Sequence, residues 1–275
     1  MRADPRPKVA IVGDDRAHMH LTRALADAVV REHVEGAGRR WPEPDNLDEA
    51  RVWHLHDGQS ELLRLHDLDA LIAADERRLG HAIQRTHRVD GQPVGPLGNL
   101  ADACVDLALP DDPPDVVLGL VDGDSRAATD QTLRALESVT RHARKKTPAL
   151  TRVVFGVTVP CAEGWLVRLL GLDAAHAPRR ATLKAALGFD PVATPERLNT
   201  TPGQARHAKR VLRFLLDTRH DTPLSAPDDT PKEALYAEAL RETALSPSEH
   251  TGLGGCGLAP FVEALERDYA PAVVP

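Results

Sequence analysis

Residues 115–126 read DVVLGLVDGDSR. Val116, Val117, Leu118, Gly119, Leu120 and Val121 form an unbroken apolar run, with Pro113 and Pro114 just before it. A short run rich in β-branched residues, bounded by prolines and a polar cluster, predicts a strand buried on both faces, as in a parallel sheet. Asp122 and Asp124 then stand at the end of that strand, on the edge of an open α/β sheet where ligands collect. In an extended chain, residues two apart point to the same side. Two carboxylates so placed repel each other unless a cation lies between them, and a divalent metal with oxygen ligands answers that need. A solvated turn whose aspartate caps the next helix satisfies the same pattern.

Two further stretches repeat the arrangement. Lys8 to Gly13, KVAIVG, predicts the first strand, and Asp14 and Asp15 follow in its turn. Leu21, Leu25, Ala28 and Val29 then give Arg16 to Val30 the spacing of an amphipathic helix, which Asp15 would cap. Arg152 to Pro160, RVVFGVTVP, predicts another buried strand, and Glu163 follows it. Acids after three parallel strands would share one edge and form one pocket. Without basic partners, such a cluster requires a metal or a proton.

Elsewhere the pattern is plainer. RVWHLH, residues 51–56, alternates like a strand. Leu62 to Leu79 has helical spacing, Arg88 to Gly98 is a Gly- and Pro-rich loop, and Leu100 to Leu109 suits a short helix. Ala127 to Arg144 reads as a helix with Leu133, Leu136 and Val139 inward. Gln204 to Leu216, Lys232 to Ala244 and Pro260 to Tyr269 also read as helices. His18 and His20 cannot share a helix face, whereas His54 and His56 would share a strand face. The expected fold is α/β, a mostly parallel, Rossmann-like sheet flanked by helices over residues 1–190. A helical extension, residues 191–275, would pack on it.

Composition bounds the function. The chain has 275 residues, 42% of them hydrophobic, but only 3% aromatic, so Ala, Val and Leu must build the core. The formal net charge of −7 argues against a globally basic nucleic-acid binder, while 34 Lys and Arg residues allow a local basic surface. Cys104, Cys161 and Cys256 are widely spaced with no CxxC pair, which suits a reducing compartment. No run approaches membrane-spanning length, and no signal-peptide pattern opens the sequence. A cytoplasmic protein with no membrane contact is expected. GxxxxGK[ST], GxSxG and HExxH motifs are all missing, and GLGGCG at 252–257 follows no strand.

The order IVGDD, VVLGLVDGDS and VFGVTVPCAEGWLVRLLG resembles the TOPRIM fold of topoisomerases, primases and OLD-type nucleases. It resembles more particularly a family of small bacterial TOPRIM-like proteins often encoded beside AAA-type ATPases. That resemblance implies a metal-dependent nuclease that hydrolyses DNA, as the effector of an anti-phage defence system. It implies Mg²⁺ or Mn²⁺ held by Asp122 and Asp124, with Glu163 completing the metal shell. Asp14 or Asp15 would orient or deprotonate the attacking water, and Lys184 or Lys209 would contact phosphate. DNA and an AAA-type ATPase are the partners it implies, and a homo-oligomer is left open. Where the family carries a glutamate before the first turn's glycine, this chain has Val12. That departure leaves a non-catalytic interaction module as the alternative. DGDS also resembles the nucleophile motif of haloacid-dehalogenase-like phosphatases, which would make Asp122 a nucleophile.

Overall fold

The computed structural model describes residues 6–13, 15–37, 50–53, 62–64, 70, 73–74, 76–77, 80, 88–89, 92–93, 114–123, 141, 152–219, 222, 225–226, 229–243 and 256–274. A parallel sheet organises them. Its strands are β1 (Lys8–Gly13), β2 (Val52–Trp53), β3 (Leu62–Arg64), β6 (Val116–Asp122) and β7 (Arg152–Thr158), in the order β2-β1-β6-β7. Between β3 and β6, two-residue strands β4 (Arg88–Val89) and β5 (Gln92–Pro93) form a separate antiparallel pair where sequence suggested only loop.

The long stretches read as strands are strands because their residues alternate between two buried faces. Val9, Ile11, Val116, Leu118, Leu120 and Val154 join the main apolar core. Their neighbours Ala10, Val12, Val117, Val121, Val153 and Val157 are buried as well. Burial on both faces is what an all-parallel sheet demands, and it explains the unbroken apolar runs. Gly119 is fixed by its neighbour strand: a Cβ there would strike the Phe155 ring.

Two short strands divide one edge of β1. β2 pairs with its first half, Lys8 opposite Val52 and Val9 opposite Trp53. β3 pairs with its second half, from Ile11 opposite Leu62 to Gly13 opposite Arg64. This corrects the helix expected over 62–79. Its first residues extend the sheet, and its described helical residues fall between Ala70 and Arg77. Helical spacing lost to tertiary pairing because β1 has open backbone groups beyond the end of β2. RVWHLH forms a strand at Val52–Trp53. His54 and His56, like the helices expected over 100–109 and most of 127–144, lie outside the described residues.

Helices cover the sheet. α1 (Arg16–Gly36) runs past the expected Val30 and packs on β1 and β6. α2 (Ala162–Gly171) follows β7, and all ten of its residues are buried. After a 3₁₀ turn at Ala174–His176 come α3 (Ala177–Leu187), a second 3₁₀ turn at Pro195–Arg197, α4 (Ala208–Leu216) and α5 (Lys232–Glu242). α6 (Leu258–Ala264) continues through a π-helical turn, Leu265–Tyr269, into α7 (Ala270–Val273). α4 and α5 pack against α2, α5 also against α1, and α6 against β7. One apolar core therefore runs through residues before and after 190. Val, Leu and Ala dominate it, but Trp165, Phe214, Phe261, Tyr236 and Tyr269 are fully buried within it. Each such side chain contributes on the order of 2 kcal/mol or more through apolar area removed from water. Gly257 lets α6 start beneath β7. Its φ of +84° is left-handed, and a Cβ there would strike the Val157 carbonyl oxygen. Among the described residues, no helix is long and apolar enough to cross a membrane.

Candidate functional site

The chain leaves β1 for β2 and β3 on one side, then returns to the other side for β6 and β7. The ends of β1 and β6 thus flank a topological switch point, where α/β sheets open a crevice. Asp15 follows the first of these ends and Asp122 closes the second.

Asp122 is fixed by three donors to one oxygen. Its Oδ1 accepts from Thr158 Oγ1 at 2.7 Å, from the Ala162 backbone N–H at 2.9 Å and from His18 Nε2 at 3.1 Å. Thr158 is the register partner of Asp122 across β6 and β7. Ala162 is the first residue of α2, so the positive end of that helix faces the carboxylate. Asp15 caps α1 as the sequence suggested, accepting from the His18 N–H at 3.0 Å. The same Oδ1 lies 3.0 Å from His18 Nδ1.

His18 therefore spans the two aspartates with both ring nitrogens, at 1% exposure. Carboxylates accept only, so both nitrogens must donate and the ring is an imidazolium. Burial alone would lower its pKa, but the hydrogen bonds to Asp122 and Asp15 prevail and hold it up at about 9. Burial pushes the two carboxyls up, yet His18 and then Lys232 outweigh it and hold both well below the usual carboxylate range.

Lys232 makes the second bridge. Its Nζ lies 3.3 Å from Asp15 Oδ2 and 3.4 Å from Asp122 Oδ2. Burial opposes the ammonium charge, but Asp122, Glu163 and Asp15 raise its pKa above the ordinary lysine value. Two carboxylates and two cations thus form a closed square. The basic partners that the sequence reading found missing are His18 and Lys232.

Asp122 and Lys232 also face a cavity of about 350 Å³, with Cys161, Glu163, Thr200, Pro202, His207 and Lys209 in its wall. Glu163 stands in the first turn of α2 at 3% exposure. Burial, then the nearby Glu163 and Asp122, push the Cys161 thiol well above its ordinary pKa, so it is no thiolate nucleophile.

Asp15, Asp122 and Glu163 thus come to one edge, whereas Asp14 and Asp124 lie outside the described residues. Lys209 lines the cavity, and Lys184 stands exposed on α3. Val12, where the TOPRIM resemblance would place a glutamate, is a fully buried core residue. Sequence reasoning missed His18, Thr158 and Lys232. His18 had a signal, since Asp15-x-x-His18 puts a histidine over its own capping aspartate. Thr158 could have been found from strand register. Lys232 had none, being 110 residues from Asp122. Comparison with protein-family models, with curated proteins and with solved structures finds no match.

Proposed function

We propose that the chain is a Mg²⁺-dependent nuclease of TOPRIM-like type that hydrolyses phosphodiester bonds in DNA. The observation that carries this reading is the convergence of Asp15 and Asp122, from two strand ends, on one cation position. The displaced first acid is therefore within reach of the second. Among the described residues no three His, Cys, Asp or Glu side chains form a metal-binding group. Mg²⁺ needs no such cage, since it binds through one or two carboxylates and keeps water and substrate oxygens. The Oδ2 atoms of Asp15 and Asp122, which Lys232 bridges here, would hold the ion once the Lys232 ammonium turns to the substrate phosphate. When bound, the ion supplies charge stabilisation at the phosphate and acidifies water.

The remaining work falls to the chain. Thr158, Ala162 and His18 hold Asp122 in one orientation, and His18 ties Asp15 to it. Lys232 and Lys209 offer cations to phosphate oxygens in the cavity. Glu163 is the cavity carboxylate outside the His18 and Lys232 bridges and takes the proton of the attacking water. Lys232 stabilises the leaving oxygen as its bond to phosphorus breaks.

The test is cleavage of plasmid and labelled oligonucleotides with Mg²⁺ or Mn²⁺. Wild type should nick or cut, and Asp122→Asn should not. Failure to cleave any nucleic acid, even with an AAA-type ATPase partner present, overturns the reading. One observation favours a non-catalytic interaction module instead: the square is already charge-balanced. A module of that kind would show no change of melting temperature across a Mg²⁺ titration, whereas a binding site must be stabilised by its ligand.

A further inference from the structure

Residues 197–216 carry five Lys or Arg side chains and not one Asp or Glu, in a chain whose net charge is −7. The fold gathers this stretch beside the cavity. Asn199 N donates to the Arg206 carbonyl at 3.0 Å, and Ala208 N donates to the Asn199 carbonyl at 2.9 Å. These two bonds close the segment 199–207 into a loop pinned at its base. Thr200, Pro202 and His207 of that loop face the cavity that holds Asp122.

At the base of the loop two arginines share one aromatic ring. The guanidinium carbon of Arg197 sits 4.3 Å from the Phe189 ring centre, and that of Arg206 sits 5.2 Å from it. Both arginines are exposed, and Phe189 is buried. Two like charges held on one ring repel each other, and the ring offsets only part of that cost. Other arginines nearby are neutralised: Arg213 pairs with Glu238 and Asp217, and Arg180 with Asp190. Among the described residues no carboxylate pairs with Arg197, Arg206 or Lys209. Fixed guanidiniums of this kind match phosphate oxygens, and their preorganisation lowers the ordering cost of contact.

We propose that the Phe189-mounted pair Arg197 and Arg206 is a docking step for the nucleic-acid backbone outside the cavity. It grips phosphates that flank the scissile one, so the substrate is a polymer and not a mononucleotide. The direction of the strand, from these arginines past Lys209 towards Asp122, rests on the nuclease reading. The grip itself does not.

The experiment is fluorescence-anisotropy binding of a labelled 24-base-pair duplex and of its single strand, in EDTA, across a salt series. Wild type should bind with a steep salt dependence. Arg197→Gln/Arg206→Gln should lose about two phosphate contacts, lowering the duplex slope by about 1.8 and the affinity roughly 50-fold at 0.1 M salt. Arg197→Lys/Arg206→Lys should recover most of that slope, because charge is kept. Arg267→Gln, which removes an exposed arginine paired with Asp268, should bind like wild type. Thermal melting confirms that each variant is folded. No binding by wild type, or an unchanged slope in the folded Gln variant, overturns the proposal. Arginine-dependent binding without cleavage by wild type in Mg²⁺ would leave the docking step standing and remove the nuclease reading. Cleavage with an unchanged slope would do the reverse.

Discussion

Two buried ion networks stand at opposite ends of the sheet. At the N-terminal end, Arg51 precedes β2 at 1% exposure, paired with Asp27 and donating to the Tyr269 hydroxyl at 2.5 Å. Its guanidinium stacks on Trp53, 4.3 Å from the ring centre, and Arg23 stacks on the same ring. Burial pushes the Tyr269 hydroxyl up to about 12, so it stays a neutral partner. At the C-terminal end, Asp15, His18, Asp122 and Lys232 form their square. The first network is walled in by aromatic rings. The second leaves carboxylate oxygens beside a cavity. Charge, burial and hydrogen bonding alone therefore do not distinguish a brace from a site. What distinguishes them is which end of the strands they occupy and whether a ligand can reach them.

Substitutions at the two ends should separate these roles. Asp122→Asn keeps the shape but removes the charge, and should cut DNA cleavage by at least about 10³-fold, read in a nicking assay. Its melting temperature should fall as well, because His18 and Lys232 lose a charged partner, but the protein that stays folded should still not cleave. Arg51→Met should act on stability alone, destabilising the fold by about 3 kcal/mol in urea unfolding, because Asp27 and Tyr269 lose the buried guanidinium. The folded fraction should cleave as wild type does. If both variants lost stability and activity in parallel, the contrast would collapse.

Proton linkage sharpens it further. The His18 pKa is about 9 when folded, above the ordinary 6.5, so its stabilisation is complete below pH 6.5. That stabilisation, about 3 kcal/mol, should be lost as pH rises from 6.5 through 9, and His18→Gln should flatten the profile. Asp15 and Asp122, depressed in the fold, lose theirs only on acidification below the ordinary carboxylate range. Stability of Arg51→Met should keep the His18 slope, since the two networks are separate. The smallest effect belongs to Lys232→Met, about 1 kcal/mol of stability, because His18 still bridges the aspartates. The same variant should lower kcat, because the leaving oxygen loses its cation, and raise KM through the lost phosphate contact.

The sheet was legible wherever a strand is buried on both faces. β1, β6 and β7 announce themselves as apolar runs, and α5 begins at the expected Lys232. β3 was hidden because Leu62 opens a helical spacing with Leu65 and Leu68, and only an open edge of β1 assigns it to the sheet. The acids of the site were legible because they sit directly after legible strands. Its cations were not. His18 is read from the helix it starts, and nothing local marks Lys232 as the residue that closes the square. A sequence shows where charge will be stranded, but long-range packing decides what answers it.

α2 couples the interior to the site. All ten of its residues are buried, and its first N–H holds Asp122. Loosening the far end of this rod, at Leu169 or Leu170, would let its near end drift. Heat-sensitive variants of the protein should therefore gather in α2, losing function at temperatures where the chain remains folded.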